Sequence, residues 1–198
     1  MNMIARAVRR SSDGLLVLWC AWLLLGAAGG EPPPLNHLEG SASPYLQRAS
    51  RQPVDWYPWG AGAWQKARQL DRPVLLDMGA VWCSWCSQMD RESYTDPETA
   101  AYINAHFVSV KVDYDADPEL ARRLELAQAV VNLPAGLPLT AFLTPSGKLF
   151  DGGSYFPPKA GHGKPAFREA LEQASRMYAE RRAVVEKNGY QISLGDSR

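Results

Sequence analysis

Hydrophobic and polar positions recur along the chain with two different periods, and the two periods predict alternating helices and strands. In residues 61–71 the apolar side chains of Trp64, Ala67 and Leu70 share one face at helical spacing, which predicts an amphipathic helix. Residues 73–78 form a short apolar run that follows Arg72 and begins with Pro73. A run of this kind is typical of a buried strand.

Further along the chain, helix starts are marked by their capping residues. Asp96 and Asp117 are each followed by proline and glutamate. This order supplies an N-cap, a favoured first helical residue and a negative charge in the first turn. Helices are predicted over residues 84–92, from 97, from 118 and over 164–182. Strands are predicted over residues 107–113, 139–144 and 149–156, the last with a bulge at Gly152-Gly153.

The order of these elements predicts the fold class. Helices and strands alternate early in the chain, which implies parallel strands, and the tight turn before the last strand implies an antiparallel pair. The prediction is an α/β domain over residues 61–182, with a central mixed β-sheet flanked by helices on both faces. Residues 31–60, rich in proline and tryptophan, predict an ordered but irregular lead-in, and residues 183–198 form a tail without a clear pattern.

Residues 1–30 differ in composition from the rest of the chain. Arg6, Arg9 and Arg10 form a basic start, an apolar run occupies residues 15–28, and small residues end the segment. This pattern is typical of a secretory signal peptide, and the run is shorter than the ~20 residues that a membrane-spanning helix needs. We therefore expect an exported protein, periplasmic or secreted. The alternative is an uncleaved anchor, which would give the protein membrane contact through this segment.

Charge and composition narrow the class of function. Lys and Arg number 21 and Asp and Glu also number 21, so the formal net charge is zero and nothing favours nucleic acid as a partner. Hydrophobic residues make up 46%, enough for one domain with a core. Removal of residues 1–30 takes Cys20 away and leaves Cys83 and Cys86, an even count that suits an oxidising compartment.

The stretch Cys83-Ser84-Trp85-Cys86 allows three interpretations. A zinc site needs about four ligands, and His37, His106 and His162 show no paired ligand spacing. A structural disulfide would close a loop with only two intervening residues, so its stabilising effect would be small. The third interpretation is a redox couple, which needs neither a metal nor an organic cofactor.

A redox couple fits the residues around the cysteines. Cys83 would lie at a helix start, where unpaired N–H groups favour the thiolate and lower the thiol pKa from ~8.5 towards ~3.5–7.5. Cys86, one turn further, would attack Cys83 and release a reduced substrate. Asp77 ends a buried run, so desolvation would raise its pKa and allow it to take the proton of Cys86. Trp82 and Trp85 would shield the sulfurs and leave an apolar rim for a protein substrate.

Pro138 opens a predicted strand although proline cannot donate a ladder hydrogen bond, so it must occupy a special position. If the bond between Leu137 and Pro138 is cis, its turn would present backbone groups to a substrate beside the disulfide. Together, Trp82-Cys83-x-x-Cys86, the upstream Asp77 and the Pro138-led strand resemble thioredoxins. The resemblance implies a thioredoxin fold with Cys83 as nucleophile, Cys86 as resolving thiol, Asp77 as buried acid and Pro138 as the cis-proline.

A larger set of sequence blocks resembles the thioredoxin-like domain of the spermatogenesis-associated protein 20 family. The blocks are SPYLQ at 43–47, PVDWYPWG at 53–60, CSWCSQMDRES at 83–93, FVSVKVD at 107–113 and PLTAFLTPSGKLFDGGSYFP at 138–157. Ser84 stands where that family usually has histidine. Asp77 and Trp82 are also unusual for that family and are closer to general thioredoxins.

These observations predict an exported protein thiol–disulfide oxidoreductase. Its expected partners are protein disulfide substrates and a thiol protein that donates or accepts electrons, with no nucleic acid, metal or cofactor. The alternative is a non-catalytic binding module on a thioredoxin scaffold with a structural or inert Cys pair. In that case the aromatic segment 53–60 would serve as the docking surface.

Overall fold

The computed structural model describes residues 35–161 and 163–194, so the predicted export signal at residues 1–30 lies outside it. Within these residues the strands are β1 (Trp56–Pro58), β2 (Val74–Gly79), β3 (Val108–Asp113), β4 (Leu139–Leu143), β5 (Lys148–Gly153) and β6 (Tyr190–Gln191). The helices are α1 (Pro44–Ala49), α2 (Ala61–Leu70), α3 (Ser84–Met89), α4 (Pro97–His106), α5 (Pro118–Val130), α6 (Phe167–Glu180) and α7 (Arg182–Asn188). No helix among the described residues is long and apolar enough to cross a membrane.

The described strands form one sheet in the order β1-β3-β2-β4-β5-β6. β1, β2 and β3 are parallel, whereas β4, β5 and β6 each pair antiparallel with their neighbours. This is the predicted α/β class, a mixed sheet with helices on both faces, arranged as a thioredoxin fold. In the central parallel pair, Asp77 of β2 lies directly beside Lys111 of β3.

Each face of the sheet covers its own hydrophobic cluster. One cluster joins the sheet to α2 and α5 and includes Trp64, Ala67, Leu76, Val110, Leu120 and Leu124. The other joins the sheet to α1, α3, α4 and α6 and includes Tyr45, Leu75, Met89, Ile103, Phe142 and Phe167. The two cysteines belong to the second cluster, so their site is built between the sheet and these four helices.

The lead-in at residues 31–60, predicted to be irregular, contains both a helix and a strand. Ser43 caps α1 by accepting a hydrogen bond from the Leu46 N–H, and Pro44 occupies the first helical position. Six residues are too few to show a helical period in the sequence. β1 then adds a strand to the sheet edge, and Trp56 within it is fully buried.

The C-terminal part holds more regular structure than its sequence pattern indicates. Residues 183–198 were described as a tail without a clear pattern, yet most of α7 and all of β6 lie there, and Ile192 is buried. A single apolar anchor gives no period that the sequence would display. Leu70, predicted on the buried face of α2, is 38% exposed, because the helix ends at Asp71 with a left-handed backbone (φ 51°).

The predicted bulge at Gly152-Gly153 is misplaced. Both glycines pair regularly with β4, and the register shifts further along, where Phe142 faces Asp151 and Leu143 faces Leu149. A Cβ at position 152 would collide with the Thr140 carbonyl oxygen, so the glycine permits close approach of two backbones rather than a bulge. β5 accordingly ends at Gly153, three residues before the predicted end of this strand.

Candidate active site

The two cysteines lie where β2 passes into α3. Cys83 is the N-cap of α3, and its Sγ accepts a hydrogen bond from the Cys86 N–H at 3.1 Å. The two Sγ atoms are 2.11 Å apart and form a disulfide. Cys83 is 7% exposed and Cys86 2%, so Cys83 is the more accessible of the pair.

Two exposed tryptophans flank the disulfide. Trp82 is 62% exposed, and its indole N–H donates to Asp115 Oδ2 at 2.8 Å. Trp85 is 53% exposed and packs on the Tyr155 ring, with the ring centroids 4.8 Å apart. Each indole is thus held by a contact outside the Cys pair and presents a flat apolar surface to solvent.

Two open clefts meet beside this rim. One, of about 400 Å³, is lined by Trp82, Cys83, Ser84, Trp85, Tyr114, Glu125 and Leu137. The other, of about 350 Å³, is lined by Trp85, Leu137, Ser154, Tyr155, Pro157, Gly161 and Lys164. Trp85 and Leu137 border both clefts. The Leu137–Pro138 peptide bond is cis, the isomer that the resemblance implies.

Asp77 lies behind the disulfide in a buried polar network. It stands in the fourth position of β2 rather than at its end, and the residue is 1% exposed. Its Oδ2 accepts hydrogen bonds from the Lys111 amine at 2.7 Å and from the Tyr45 hydroxyl at 3.1 Å. Its Oδ1 accepts one from the Tyr94 hydroxyl at 3.2 Å. Every contact expected of a buried carboxylate is therefore supplied by protein groups.

Lys111 is the cation at the centre of this network. Its amine donates to Asp77 and, at 2.9 Å, to Asp90 Oδ1. The same nitrogen lies 4.8–4.9 Å from the ring centroids of Tyr45, Trp56 and Tyr94. Aromatic faces stabilise a cation most strongly when it is desolvated, and Lys111 is completely buried.

A turn wider than an α-helix supplies two members of the network. The helix predicted over residues 84–92 is α-helical only to Met89 and continues as a π-helical turn, Asp90–Tyr94. This turn brings both Asp90 and Tyr94 against Lys111. π-Helical turns occur frequently at functional sites.

The pKa values of the central pair follow from one cation facing two carboxylates. Burial raises the pKa of the Asp77 carboxyl; Lys111 opposes this shift and the charge of Asp90 adds to it. Burial would lower the pKa of Lys111, but Asp77 and Asp90 together outweigh it and raise that pKa. Both shifts have the same sign because the buried site carries an excess of negative charge. Lys111 therefore stays protonated, and Asp77 holds a proton more readily than a free carboxyl does.

Asp90 connects the network to solvent. Its side chain is 20% exposed, and its Oδ1 also accepts a hydrogen bond from the Gln52 amide at 3.0 Å. A cleft of about 320 Å³ reaches it between three arginines, and its lining comprises Arg48, Arg51, Gln52, Ser87, Asp90, Arg91 and Thr95. Asp90 is therefore the carboxylate through which the network around Lys111 reaches solvent.

The structure brings most of the predicted site residues together: Trp82, Cys83, Trp85 and Leu137 line one cleft, Cys86 is bonded to Cys83, and Pro138 follows Leu137. Asp77 lies apart from this surface, buried within β2. What sequence reasoning missed is the network around Asp77: its direct partners Tyr45, Tyr94 and Lys111, and the residues that contact Lys111 or Asp90 in turn, namely Gln52, Trp56 and Asp90. The SPYLQ and PVDWYPWG blocks contained two of them without indicating a role. In residues 35–161 and 163–194, no three His, Cys, Asp or Glu side chains are grouped so as to hold a metal ion.

Comparison with known proteins identifies relatives of this chain. The family described as "Thioredox_DsbH: Protein of unknown function, DUF255" matches residues 35–194. Spermatogenesis-associated protein 20 of Rattus norvegicus is 34% identical over 167 residues, which cover 82% of this chain and 21% of that protein. Thiol:disulfide interchange protein DsbD 1 of Pseudomonas aeruginosa is 33% identical over 91 residues, covering 43% of this chain and 15% of that protein.

Solved structures are also similar. A structure of "DsbH Oxidoreductase" has 22% sequence identity and a TM-score of 0.47, and the alignment covers 63% of this chain and 85% of the other. The chain spans about a fifth of the length of the curated spermatogenesis-associated relatives that it matches.

Proposed function

This chain belongs to the family described as "Thioredox_DsbH: Protein of unknown function, DUF255", and we propose that it is a thiol–disulfide oxidoreductase that exchanges disulfides with protein substrates. The observation that carries the proposal is the position of the Cys83–Cys86 disulfide. It borders an apolar rim on the outside, and on the inside Cys86 Sγ faces the same space as the Tyr45 hydroxyl that bonds to buried Asp77. A bridge across two intervening residues adds little stability, so a purely structural role would leave this arrangement without a purpose.

In the first step, the thiolate of reduced Cys83 attacks one sulfur of a substrate disulfide. A Cys83–substrate disulfide forms, the substrate S–S bond breaks, and the second substrate sulfur leaves as a thiolate that takes a proton from water. The N–H groups at the start of α3 favour the attacking thiolate, as the Cys86 N–H already points at Cys83 Sγ.

In the second step, Cys86 loses its proton and attacks Cys83 Sγ. The Cys83–Cys86 disulfide forms, the bond to the substrate breaks, and the substrate leaves with both its sulfurs reduced. Asp77 is the acceptor for the Cys86 proton, because burial raises the pKa of its carboxyl and a carboxyl with a raised pKa is a stronger base. The same steps in reverse oxidise a dithiol substrate.

The surface around the disulfide fits an extended polypeptide rather than a small molecule. Trp82, Trp85 and Leu137 would contact the substrate, and Pro138 would hold Leu137 beside the sulfur of Cys83. Turnover also requires a partner thiol protein that supplies or removes two electrons. Export, by the segment at residues 1–30, would place the pair in an oxidising compartment, and retention of that segment would anchor it to a membrane.

Single substitutions of the cysteines test this function directly. In an insulin-reduction assay with dithiothreitol as the electron donor, Cys83→Ser should abolish the acceleration that the protein contributes, because it removes the nucleophile. Cys86→Ser should retain the first step and accumulate a mixed disulfide with the substrate, visible on a non-reducing gel. Cys20→Ser serves as the matched control and should keep full activity. Wild-type turnover by Cys83→Ser would refute the mechanism.

A further inference from the structure

Tyr45 lies in α1, outside residues 61–182, which the sequence assigns to the redox domain. The residue is 1% exposed, and its hydroxyl donates to Asp77 Oδ2 at 3.1 Å. α1 is held in place at its N-terminus, where the Ser43 hydroxyl donates to Asp113 Oδ2 at 2.5 Å. The lead-in therefore inserts a phenol into the space behind the disulfide.

Gly79, the last residue of β2, shows how close this phenol lies to the second cysteine. A Cβ at position 79 would come within 3.0 Å of both the Tyr45 hydroxyl oxygen and Cys86 Sγ. The two atoms thus face the same small space, which exists because residue 79 has no side chain. The Tyr45 oxygen contacts Asp77 on one side and faces Cys86 on the other.

From this geometry we infer that the Tyr45 hydroxyl relays the proton of Cys86 to Asp77, an inference that rests on the proposed exchange reaction. In the second step the Cys86 thiol gives its proton to the Tyr45 oxygen, while the Tyr45 hydroxyl gives its own proton to Asp77 Oδ2. The Cys86 thiolate then attacks Cys83 Sγ, and the substrate sulfur leaves with the electron pair of its broken bond. Tyr45 ends the step neutral, and Asp77 ends it protonated.

Burial and the charged groups around Tyr45 keep its hydroxyl protonated, as the relay requires. Burial raises the pKa of its hydroxyl, and the nearby carboxylates of Asp77, Asp90 and Asp113 raise it further. Lys111 lies over the Tyr45 ring at 4.9 Å and bonds to Asp77, next to the Tyr94 hydroxyl. In this setting the phenol stays neutral over the working pH range, and a neutral hydroxyl can accept one proton while it donates another.

Tyr94 provides a matched comparison. Its hydroxyl also donates to Asp77, at 3.2 Å, but it reaches the other oxygen, Oδ1. The Tyr94 ring packs against Trp56 and Phe167. Loss of either hydroxyl removes one hydrogen bond from Asp77, whereas only the loss of the Tyr45 hydroxyl interrupts the path from Cys86.

The test is a two-phase reaction of the full, reduced chain with dithiobisnitrobenzoate. Every protein compared, the parent included, carries Cys20→Ser, so that Cys83 and Cys86 are the two thiols that react. The first equivalent of thionitrobenzoate is released when Cys83 attacks the reagent, and the second when Cys86 resolves the mixed disulfide. Tyr45→Phe should leave the first phase intact and slow the second about tenfold or more near neutral pH, in line with the loss of a proton-transfer group. The second phase of Tyr45→Phe should recover at alkaline pH, where Cys86 loses its proton without help.

The control variants separate the relay from simpler effects. Tyr94→Phe should slow the second phase by only about two- to threefold, since it weakens one bond to Asp77. Tyr178→Phe, whose hydroxyl bonds to Asp71 instead, gives the baseline for losing a phenol hydroxyl. Equal slowing by Tyr45→Phe and Tyr94→Phe, or no slowing by Tyr45→Phe, would overturn the relay. A measurement without any tyrosine variant gives an independent test: the second-phase rate is followed as the deuterium content of the solvent is increased. A curved dependence of the rate on deuterium content supports the movement of two protons in this phase. A linear dependence overturns the relay, even if a variant fails to fold.

These outcomes remain separate from failure of the proposed function. If the parent protein shows neither phase, the Cys pair does not exchange disulfides and the function itself is wrong. If the parent protein shows both phases and Tyr45→Phe matches Tyr94→Phe, the exchange stands and the relay alone is wrong.

Discussion

At the scale of single residues, the account depends on opposite charges buried together in the centre of the molecule. Lys111 has no exposed surface, yet it carries a charge, because two carboxylates and three aromatic rings replace the water it has lost. Removal of one partner from a buried ion pair typically costs 3–5 kcal/mol, since the remaining charge stays unpaired. Of the two carboxylates that share Lys111, Asp77 is buried and Asp90 reaches solvent.

The first prediction concerns Asp77→Asn. A carboxyl whose pKa is raised by folding stabilises the native state below its unfolded pKa of about 3.9, and this contribution is lost as the pH rises through the folded pKa. Asparagine does not titrate. The free energy of unfolding of wild type should therefore fall relative to that of Asp77→Asn as the pH rises from about 4 towards neutrality.

Urea unfolding of the two oxidised proteins across this pH range measures the difference. The sign of the change in this stability difference with pH also shows whether burial or Lys111 has the larger effect on the pKa of Asp77. If wild type instead gains stability relative to Asp77→Asn as the pH rises, Lys111 outweighs burial and the Asp77 pKa is lowered, which would remove Asp77 as a proton acceptor near neutrality.

Several of these residues could be identified from the sequence and others could not. Cys83, Cys86 and Asp77 follow from motif and strand position. Lys111 does not, because the alternation in residues 107–113 places it with Ser109 and Asp113 on what is normally a solvent-facing side. Both sides of β3 are buried, since α1 and the π-helical turn cover the polar one.

At the scale of elements, the space above Gly79 at the junction of β2 with α3 is filled by the Tyr45 phenol and the Cys86 sulfur. Gly79→Ala would place a methyl group within 3.0 Å of Tyr45 and Cys86. We predict a loss of stability of about 1–3 kcal/mol from overpacking. Gly62→Ala in α2 is the matched control, because no heavy atom lies within 4 Å of its new methyl group.

Chemical denaturation of both glycine variants in the oxidised state makes the comparison. The control should be unchanged or more stable by up to about 1 kcal/mol, as expected for alanine in a helix. Equal stability of the two variants would mean that the space above Gly79 is larger than described, and the proximity of Tyr45 to Cys86 would be lost with it.

Element starts with capping residues could be predicted well, and short elements could not. The Asp-Pro-Glu sequences at Asp96 and Asp117 mark helices that begin one residue later, with each carboxylate accepting a backbone N–H. α1 and β1 were missed because six and three residues carry no measurable period. The π-helical turn was missed because the contacts of Asp90 and Tyr94 with Lys111 join residues far apart in the sequence.

At the scale of the whole molecule, the central sheet could be predicted from the order of helices and strands, but its edges could not. β1 and β6 lie at opposite edges and come from the lead-in and the C-terminal tail, where the sequence pattern is weak. The consequence is functional, because the lead-in carries Tyr45, Gln52 and Trp56 into the network around Lys111. The proposed redox site is therefore assembled from more of the chain than residues 61–182.

The rival account, a binding module with an inert Cys pair, keeps the same fold and the same rim but assigns the disulfide a structural role. The two accounts differ in how readily the bridge is reduced. A structural disulfide typically has a reduction potential below about −300 mV, whereas working couples lie between about −120 and −270 mV.

The reduction potential of the Cys83–Cys86 pair separates the two accounts most directly. It is measured by equilibrating the full chain, carrying Cys20→Ser so that the pair alone contributes thiols, with glutathione or dithiothreitol buffers and counting free thiols. Our account predicts a value between about −120 and −270 mV. A value below about −300 mV would contradict it and leave the protein a scaffold with a structural bridge.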